Sequence, residues 1–198
     1  MIGNYIKAVA VAVSRSTAKL MKTGQTTSYR TGDDGDLEAG RNTSFTVLAE
    51  NNPFGNTNRF TDELGGSTYT KNIVIDWSTY DGSTVLGYRR TNFGGAATWN
   101  QAIDGCLAVS ISPFTSGWRL PNRNEVQNII LQSTINYSPL NITSGNTNMW
   151  TSTSWTGNPT SLAYAFVFGN AIITLLAKTS TADYIPCRTF TVTGTTLS

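Results

Sequence analysis

The only cluster of acidic side chains lies in one short segment of the sequence. Asp33, Asp34 and Asp36 are spaced by Gly32 and Gly35. Calcium prefers several carboxylate oxygens from a tight glycine-containing loop, so these three aspartates are candidate ligands of a structural calcium ion. The spacing does not fit an EF-hand, and aspartate with glycine is also typical of ordinary turns. The segment therefore predicts either a calcium site or a plain turn, and we expect no other cofactor.

Catalytic chemistry has little support in the residue types present. The sequence contains no histidine, which removes the commonest general base and the commonest neutral metal ligand. Mechanisms that pair serine or cysteine with histidine, or that bind zinc through histidine, are therefore excluded. No pair of carboxylates converges in a way that suits acid–base catalysis. We expect a protein that is not an enzyme.

Residues that commonly contact ligands occur in segments that we interpret as loops. Residues 78–95 have the character of an insertion or a remodelled loop. Adjacent arginines there can bind anionic glycans or phosphates through bidentate bonds, although a solvated pair of charges is the alternative. Trp155 lies in a polar segment, 154–160, and is the best single candidate for an exposed aromatic contact. With the polar loops included, the candidate ligand contacts are Tyr88, Arg89, Arg90, Asn146, Trp155 and Asn158.

Two helices are predicted to position these loops. The first covers residues 96–108, with Thr98 or a neighbour as its cap and Cys106 on its apolar face. The second covers residues 122–132, where Asn122 and Glu125 have the spacing of a reciprocal capping box. Val126 and the isoleucines after it recur at helical spacing, so one face of this helix must be covered by the rest of the domain.

Short strands are predicted around the helices, at residues 68–77, 149–154, 163–168, 171–176 and 184–190. Gly169 and Asn170 favour a two-residue hairpin turn between two of them. Residues 133–149 form a long polar loop.

Residues 8–13 alternate alanine and valine, which suits a strand. We therefore divide the chain into an N-terminal arm at 1–22, expected to dock on its own domain, a second copy or a larger assembly, and a domain at 23–198.

Seven motifs occur in order along most of the chain. They are TGQTTSY at 23–29, TGDDGDL at 31–37, RFTD at 59–62, WNQAIDGC at 99–106, GWRLPNRNEV at 117–126, WTSTS at 150–154 and PCR at 186–188. Together they resemble the bacterial and phage domain family named after the C-terminal domain of the Legionella collagen-like protein. The resemblance implies a C-type-lectin-like fold of the α+β class, with two helices packed on short antiparallel strands and with long polar loops.

The resemblance also implies roles for residues of the scaffold. It places Cys106 and Cys187 where such folds form a disulfide between the first helix and the last strand, and two buried free thiols are the alternative. Arg119 and Arg123 lie next to the entry of the second helix, where a structural ion pair or a bond to a carbonyl is expected. Four tryptophans match positions that the core fills, each with a buried acceptor for its indole N–H: Trp77, Trp99, Trp118 and Trp150.

The composition narrows the class of partner. Charged residues make up 13% of the chain and the net charge is +2. Low charge with abundant glycine, serine, threonine and asparagine is typical of secreted or virion β-rich proteins. The basic residues are scattered, so we expect no nucleic-acid partner. No apolar run reaches the ~20 residues of a membrane span, and the one near the N-terminus is at the short limit for a signal peptide, so we expect neither.

These observations lead to a functional hypothesis and its alternatives. We expect a phage virion protein, at a tail tip, fibre or capsid surface, whose lectin-like loops bind a host cell-surface saccharide or protein. The arm at 1–22 would contact other virion subunits, and a homo-oligomer such as a trimer is expected. The alternatives are a purely structural decoration or connector protein of the virion and an adhesin at a bacterial cell surface.

Overall fold

The computed structural model describes residue 28 and residues 52–55, 58–69, 71–90, 94–130, 139–141, 148–167 and 171–198. This part of the chain forms two five-stranded sheets and two α-helices, which confirms the predicted α+β class. Several predictions lie outside the described residues and stay predictions: the arm at 1–22, the candidate calcium ligands Asp33, Asp34 and Asp36, and the candidate ligand contact Asn146.

The first sheet joins early strands to the last strands of the chain. Its strands are β1 (Phe60–Asp62), β2 (Ile73–Asp76), β3 (Thr84–Arg89), β9 (Cys187–Thr193) and β10 (Thr196–Leu197). They lie in the order β1-β2-β3-β9-β10, and every neighbouring pair is antiparallel. All four residues of β2 are buried. The predicted strand at 68–77 is therefore shorter than expected, and it forms the interior of this sheet.

The second sheet is formed by the five strands that lie between β3 and β9 in the chain. Its strands are β4 (Gly94–Ala97), β5 (Asn148–Ser154), β6 (Leu162–Val167), β7 (Ile172–Ala177) and β8 (Ala182–Tyr184). Their order is β4-β8-β5-β6-β7, with β5 and β8 parallel and the other pairs antiparallel. The antiparallel pairing of β6 with β7 confirms a hairpin here, and the two-residue turn predicted at Gly169 and Asn170 lies outside the described residues. The strand predicted at 184–190 is instead divided between β8 and β9, which belong to different sheets.

The caps of both helices lie where the sequence predicts, although the helix predicted at 96–108 begins only at Trp99, because Ala96 and Ala97 belong to β4. Helix α1 (Trp99–Leu107) is capped by Thr98, and the reciprocal bonds between Thr98 and Gln101 form a capping box. Helix α2 (Arg123–Ile130) follows Asn122. The Asn122 side-chain oxygen accepts from the Glu125 amide at 3.0 Å, and the Glu125 carboxylate accepts from the Asn122 amide at 2.8 Å. Each helix start is thus determined by two residues three positions apart.

The tryptophans predicted to be core residues do line the core. Trp77, Trp118 and Trp150 are almost completely buried, and Trp99 is half-buried. Each indole N–H donates a hydrogen bond of 2.8–2.9 Å within the fold. Trp77 donates to Thr61 Oγ1, and Trp118 donates to the Phe114 carbonyl. Trp150 donates to the Ala97 carbonyl, and Trp99 donates to the Thr151 carbonyl. Because the N–H of each ring is satisfied, these large side chains stabilise the core without leaving an unpaired donor.

The interpretation of residues 78–95 as an inserted loop is wrong for residues 84–89. Residues 84–89 form β3, which lies between β2 and β9 in the first sheet. At Gly87 an added Cβ would lie only 2.6 Å from the Phe190 ring and 2.8 Å from Ile75 Cδ1, so the strand passes where a side chain would collide. Glycine is unfavourable in strands, so it makes β3 hard to predict from the sequence. It is required at this position because the side chains of the two neighbouring strands leave no room for a Cβ.

Candidate functional site

The loop that follows β5 is the best-defined candidate for a binding surface. We call residues 155–161 the Trp155 loop. The Trp155 amide donates to the Leu162 carbonyl at 3.0 Å, and the Asn158 and Leu162 amides close two turns by donating to Trp155 O at 3.2 Å and Asn158 O at 3.0 Å. A Cβ on Gly157 would lie 2.5 Å from Trp155 Cζ2, so the indole is packed against the backbone of its own loop. The loop is therefore ordered by local main-chain bonds.

Trp155 differs from the other four tryptophans. Its side chain is half-buried, and it belongs to none of the three hydrophobic clusters of the described core. Its indole N–H has no acceptor among the described residues, whereas the other four donate within the fold. A half-buried amphipathic ring with an unused donor is typical of residues that contact a ligand.

A lysine that the sequence did not single out holds this loop in place. Lys178 follows β7, and its ammonium donates to Ser154 Oγ and to the Pro159 carbonyl, both at 2.8 Å. The same ammonium lies 3.5 Å from the centre of the Trp99 ring, a cation–π contact. Lys178 thus connects the Trp155 loop to the start of α1. No local pattern identifies such a residue, because its three partners come from distant parts of the chain.

The Trp155 loop also carries exposed polar side chains. Asn158 is exposed, and its side-chain oxygen accepts from Thr160 Oγ1 at 3.1 Å. The side-chain NH₂ of Asn158 has no acceptor within the part of the chain that the structure describes. Thr156 is also exposed. The structure therefore brings two predicted contacts, Trp155 and Asn158, together on one loop with unused donors.

Three other predicted contacts, Tyr88, Arg89 and Arg90, do not join this surface. Tyr88 is a wrong prediction, because its side chain is 0% exposed in β3 and packs in the core. Arg89 ends β3 and is half-buried, with its amide bonded to the Pro186 carbonyl. Arg90 donates from Nε to the Pro139 carbonyl at 3.1 Å. These arginines are attached to the first sheet and its neighbouring loop, and no hydrogen bond between described residues connects them to the Trp155 loop.

The two cysteines are buried thiols and are not joined by a disulfide in this structure. The disulfide implied by the family resemblance is therefore not formed, and the alternative of two free thiols is what the structure contains. Burial raises the pKa of Cys106 to about 12, with Arg89 opposing the shift. Burial also raises the pKa of Cys187, and the nearby Cys106 contributes to that shift. Neither thiol is suited to act as a nucleophile near neutral pH.

The ion pair predicted at the helix entry is formed by Arg119, whereas the Arg123 side chain contacts an aromatic ring. Arg119 forms a bidentate ion pair with Glu125, at 2.7 and 2.6 Å, and that hydrogen bond raises the Arg119 pKa. The same carboxylate caps α2, so this pair connects the preceding strand segment to the helix. The Arg123 guanidinium lies 4.8 Å from the centre of the Tyr164 ring. Both arginines stabilise the helix entry, which leaves the Trp155 loop as the candidate site.

Within the described residues, no group of three or more histidine, cysteine, aspartate or glutamate side chains is placed to hold a metal ion. No helix found there is both long enough and apolar enough to cross a membrane.

No protein-family model matches the sequence, and no curated protein matches it. The family resemblance therefore depends on the seven motifs alone, and the functional argument depends on the geometry of the Trp155 loop.

Proposed function

We propose that this chain is a non-enzymatic binding protein of a phage virion, with a C-type-lectin-like domain that recognises a host cell-surface saccharide or protein through the Trp155 loop. One observation carries the proposal. Trp155 is the one tryptophan of five that is outside the core clusters and has no indole acceptor among the described residues. A half-buried aromatic side chain with an unused donor is the kind of residue that anchors a ligand at a binding surface.

The rigidity of the loop strengthens the proposal. Main-chain bonds close the turns of residues 155–161, and Lys178 fixes the loop at Ser154 and Pro159. A binding surface that is already ordered loses little conformational entropy when a ligand arrives. A flat indole beside the Asn158 amide and threonine hydroxyls suits a saccharide, whose apolar ring face can pack on the indole while its hydroxyls form hydrogen bonds.

The lectin-like and virion parts of the proposal depend on the sequence. The motif GWRLPNRNEV contains the cap and the first turn of α2, and WNQAIDGC forms most of α1, so the two longest motifs include a helix start each. The low charge of 13% and the polar loops suit a protein exposed at a particle surface. Fold resemblance alone does not determine the ligand, so the binding surface must be tested directly.

The decisive experiment measures binding to intact bacteria and to an array of bacterial surface glycans with the full-length protein. Trp155→Ala should weaken binding at least ~10-fold, because a central aromatic contact typically contributes ~2 kcal/mol or more to a small interface. Its melting temperature should stay within a few degrees of the parent protein. Leu107→Ala is the matched control, since Leu107 is an exposed apolar residue on α1. Equal binding by parent protein and Trp155→Ala, or no binding by the parent protein to any surface tested, would overturn the proposal.

A further inference from the structure

Strand β7 is an unusually apolar edge of the second sheet. It is the last strand in the order β4-β8-β5-β6-β7 and pairs only with β6 among the described strands. Its sequence, IITLLA, contains no charge and no proline, and its register with β6 has no bulge. Ile172 and Leu175 are 50% and 37% exposed. Natural edge strands usually carry charges, proline or bulges that prevent further pairing, and β7 carries none of these.

The other edges of the two described sheets do not share this character. Strand β4 is composed only of glycine and alanine, and β1 has three residues of which one is Asp62. Strand β10 has two residues. β7 is therefore the longest and most apolar edge in the part of the chain that the structure describes. An added strand would cover its apolar side chains and satisfy its outward N–H and C=O groups.

Backbone hydrogen bonds show which groups of β7 point away from β6. The Trp155 amide donates to the Leu162 carbonyl at 3.0 Å, so Leu162 of β6 directs its carbonyl towards β5. The Lys178 amide donates to the Ser161 carbonyl at 2.8 Å, so Lys178 directs its N–H towards β6. These directions alternate along a strand, and the pairing of β6 with β7 continues without a shift in register. Three residues of β7 therefore direct their N–H and C=O groups outward: Ile173, Leu175 and Ala177.

The outward groups of β7 are arranged symmetrically about Leu175. When a second β7 lies antiparallel with the two Leu175 residues opposite each other, Ile173 of each copy lies opposite Ala177 of the other. Each of these pairs can exchange two hydrogen bonds, so every outward N–H of both strands finds an acceptor. A two-fold axis at Thr174 or at Leu176 would leave some of these groups unpaired. The hydrogen-bonding pattern of the edge is thus complementary to itself.

The same register covers the exposed apolar side chains. Leu175 lies directly opposite Leu175 of the second copy, on the same face of the joined sheet. Ile172 lies on the other face, diagonal to Leu176 of the second copy. A charge near the axis would lie close to an identical charge and repel it, but β7 contains none. The side chains and the backbone of the edge therefore both fit a second copy of this strand.

We infer that two copies of this chain pair through β7 in an antiparallel, two-fold contact centred on Leu175, which joins their second sheets into one continuous sheet. The contact uses the same edge in both copies, so it closes at a dimer and does not continue into a fibre. It gives a specific form to the homo-oligomer expected from the sequence, and it is independent of the Trp155 loop and of its ligand. A contact made by one pair of strands is small, so the dimer is reversible.

Sedimentation velocity of the full-length protein at a series of concentrations tests this inference. The parent protein should change from monomer to dimer as its concentration rises. Leu175→Lys places two lysines opposite each other at the axis, where like charges cost several kcal/mol, so the dissociation constant should rise at least ~10-fold. Leu107→Lys is the matched control, because it makes the same change at an exposed leucine of α1 and should leave the dimer unchanged.

A second variant removes a backbone donor without adding charge. Ala177→Pro deletes an N–H that points away from β6, so the β6–β7 ladder keeps its bonds while each copy loses one bond across the axis. Two lost bonds of about 1 kcal/mol each should raise the dissociation constant at least ~10-fold. Thermal melting followed by circular dichroism shows that each variant is folded.

An exchange of charge tests the register itself. Leu175→Glu alone should dimerise as poorly as Leu175→Lys, whereas an equimolar mixture of the two variants should dimerise again, because the axis then places a lysine opposite a glutamate. Four results would overturn the inference: a parent protein that is monomeric at every concentration, dimers of Leu175→Lys or Ala177→Pro as tight as those of the parent protein, equal weakening by Leu107→Lys, or a mixture that stays monomeric.

Discussion

Loss of one charge from the buried ion pair between Arg59 and Asp76 should destabilise the domain strongly. Asp76 ends β2 and is 0% exposed. Its carboxylate accepts from Arg59 Nε at 2.9 Å and from Arg59 Nη2 at 2.7 Å, and also from the amide and hydroxyl of Ser78. Arg59 donates in addition to the Asn128 carbonyl at 3.2 Å, so the pair connects the first sheet to α2.

The magnitude follows from what each substitution leaves behind. Asp76→Asn keeps the size of the side chain but leaves the Arg59 guanidinium buried, at 6% side-chain exposure, without its counter-charge. Removing one partner of a buried pair typically costs about 3–5 kcal/mol. At about 2–4 °C per kcal/mol for a domain of this size, the melting temperature should fall by roughly 6–20 °C. Arg59→Met should cost a similar amount, because it leaves the Asp76 carboxylate buried.

A double-mutant cycle separates the ion pair from the rest of the packing. Arg59→Met/Asp76→Asn removes both charges, so its loss of unfolding free energy should be at least ~2 kcal/mol smaller than the sum of the single losses. Urea unfolding followed by circular dichroism measures all three variants. Glu125→Gln is the matched control, since the Arg119–Glu125 pair has side chains 39% and 21% exposed and should contribute only about 1 kcal/mol. Additive single losses, or a loss for Asp76→Asn no larger than for Glu125→Gln, would refute the reasoning.

Two further expectations follow from the titratable groups. Burial raises the pKa of Cys106 to about 12 and also raises that of Cys187, so a thiol reagent at pH 8 should modify neither cysteine in the folded protein. After unfolding in urea the reagent should modify both. If the unfolded, unreduced protein has no reactive thiol, the disulfide forms and the expectation is wrong. The Asp81 carboxylate accepts from the Thr84 and Ser83 amides, and these hydrogen bonds lower its pKa from 3.8 to about 2. Its contribution to stability is therefore present above pH 4 and is lost as the pH falls towards 2. Asp81→Asn should therefore make the unfolding free energy depend less steeply on pH between pH 4 and pH 2. Urea unfolding at a series of pH values measures this dependence, and the same dependence in the variant and the parent protein would contradict the assignment.

Local features of the fold could be predicted from the sequence because their causes lie within a few residues. Asn122 and Glu125 determine where α2 begins, and Thr98 with Gln101 does the same for α1. The antiparallel pairing of β6 with β7 agrees with the hairpin that Gly169 and Asn170 predict. The position of Trp155 in a polar segment after a strand likewise identified it as a candidate contact, and the structure leaves its indole N–H without an acceptor among the described residues.

By itself, then, the sequence determined the α+β class and the cap of each helix and offered Trp155 as a candidate contact, whereas contacts between distant segments decided the rest. Tyr88 is a core residue because β3 lies between β2 and β9, and the nearest partner strand on one side comes about 100 residues later in the chain. Lys178 supports the Trp155 loop because the fold brings Ser154, Pro159 and the Trp99 ring to its ammonium. Burial and hydrogen-bond partners of this kind depend on which strands become neighbours, and no pattern within a short window of sequence contains that information.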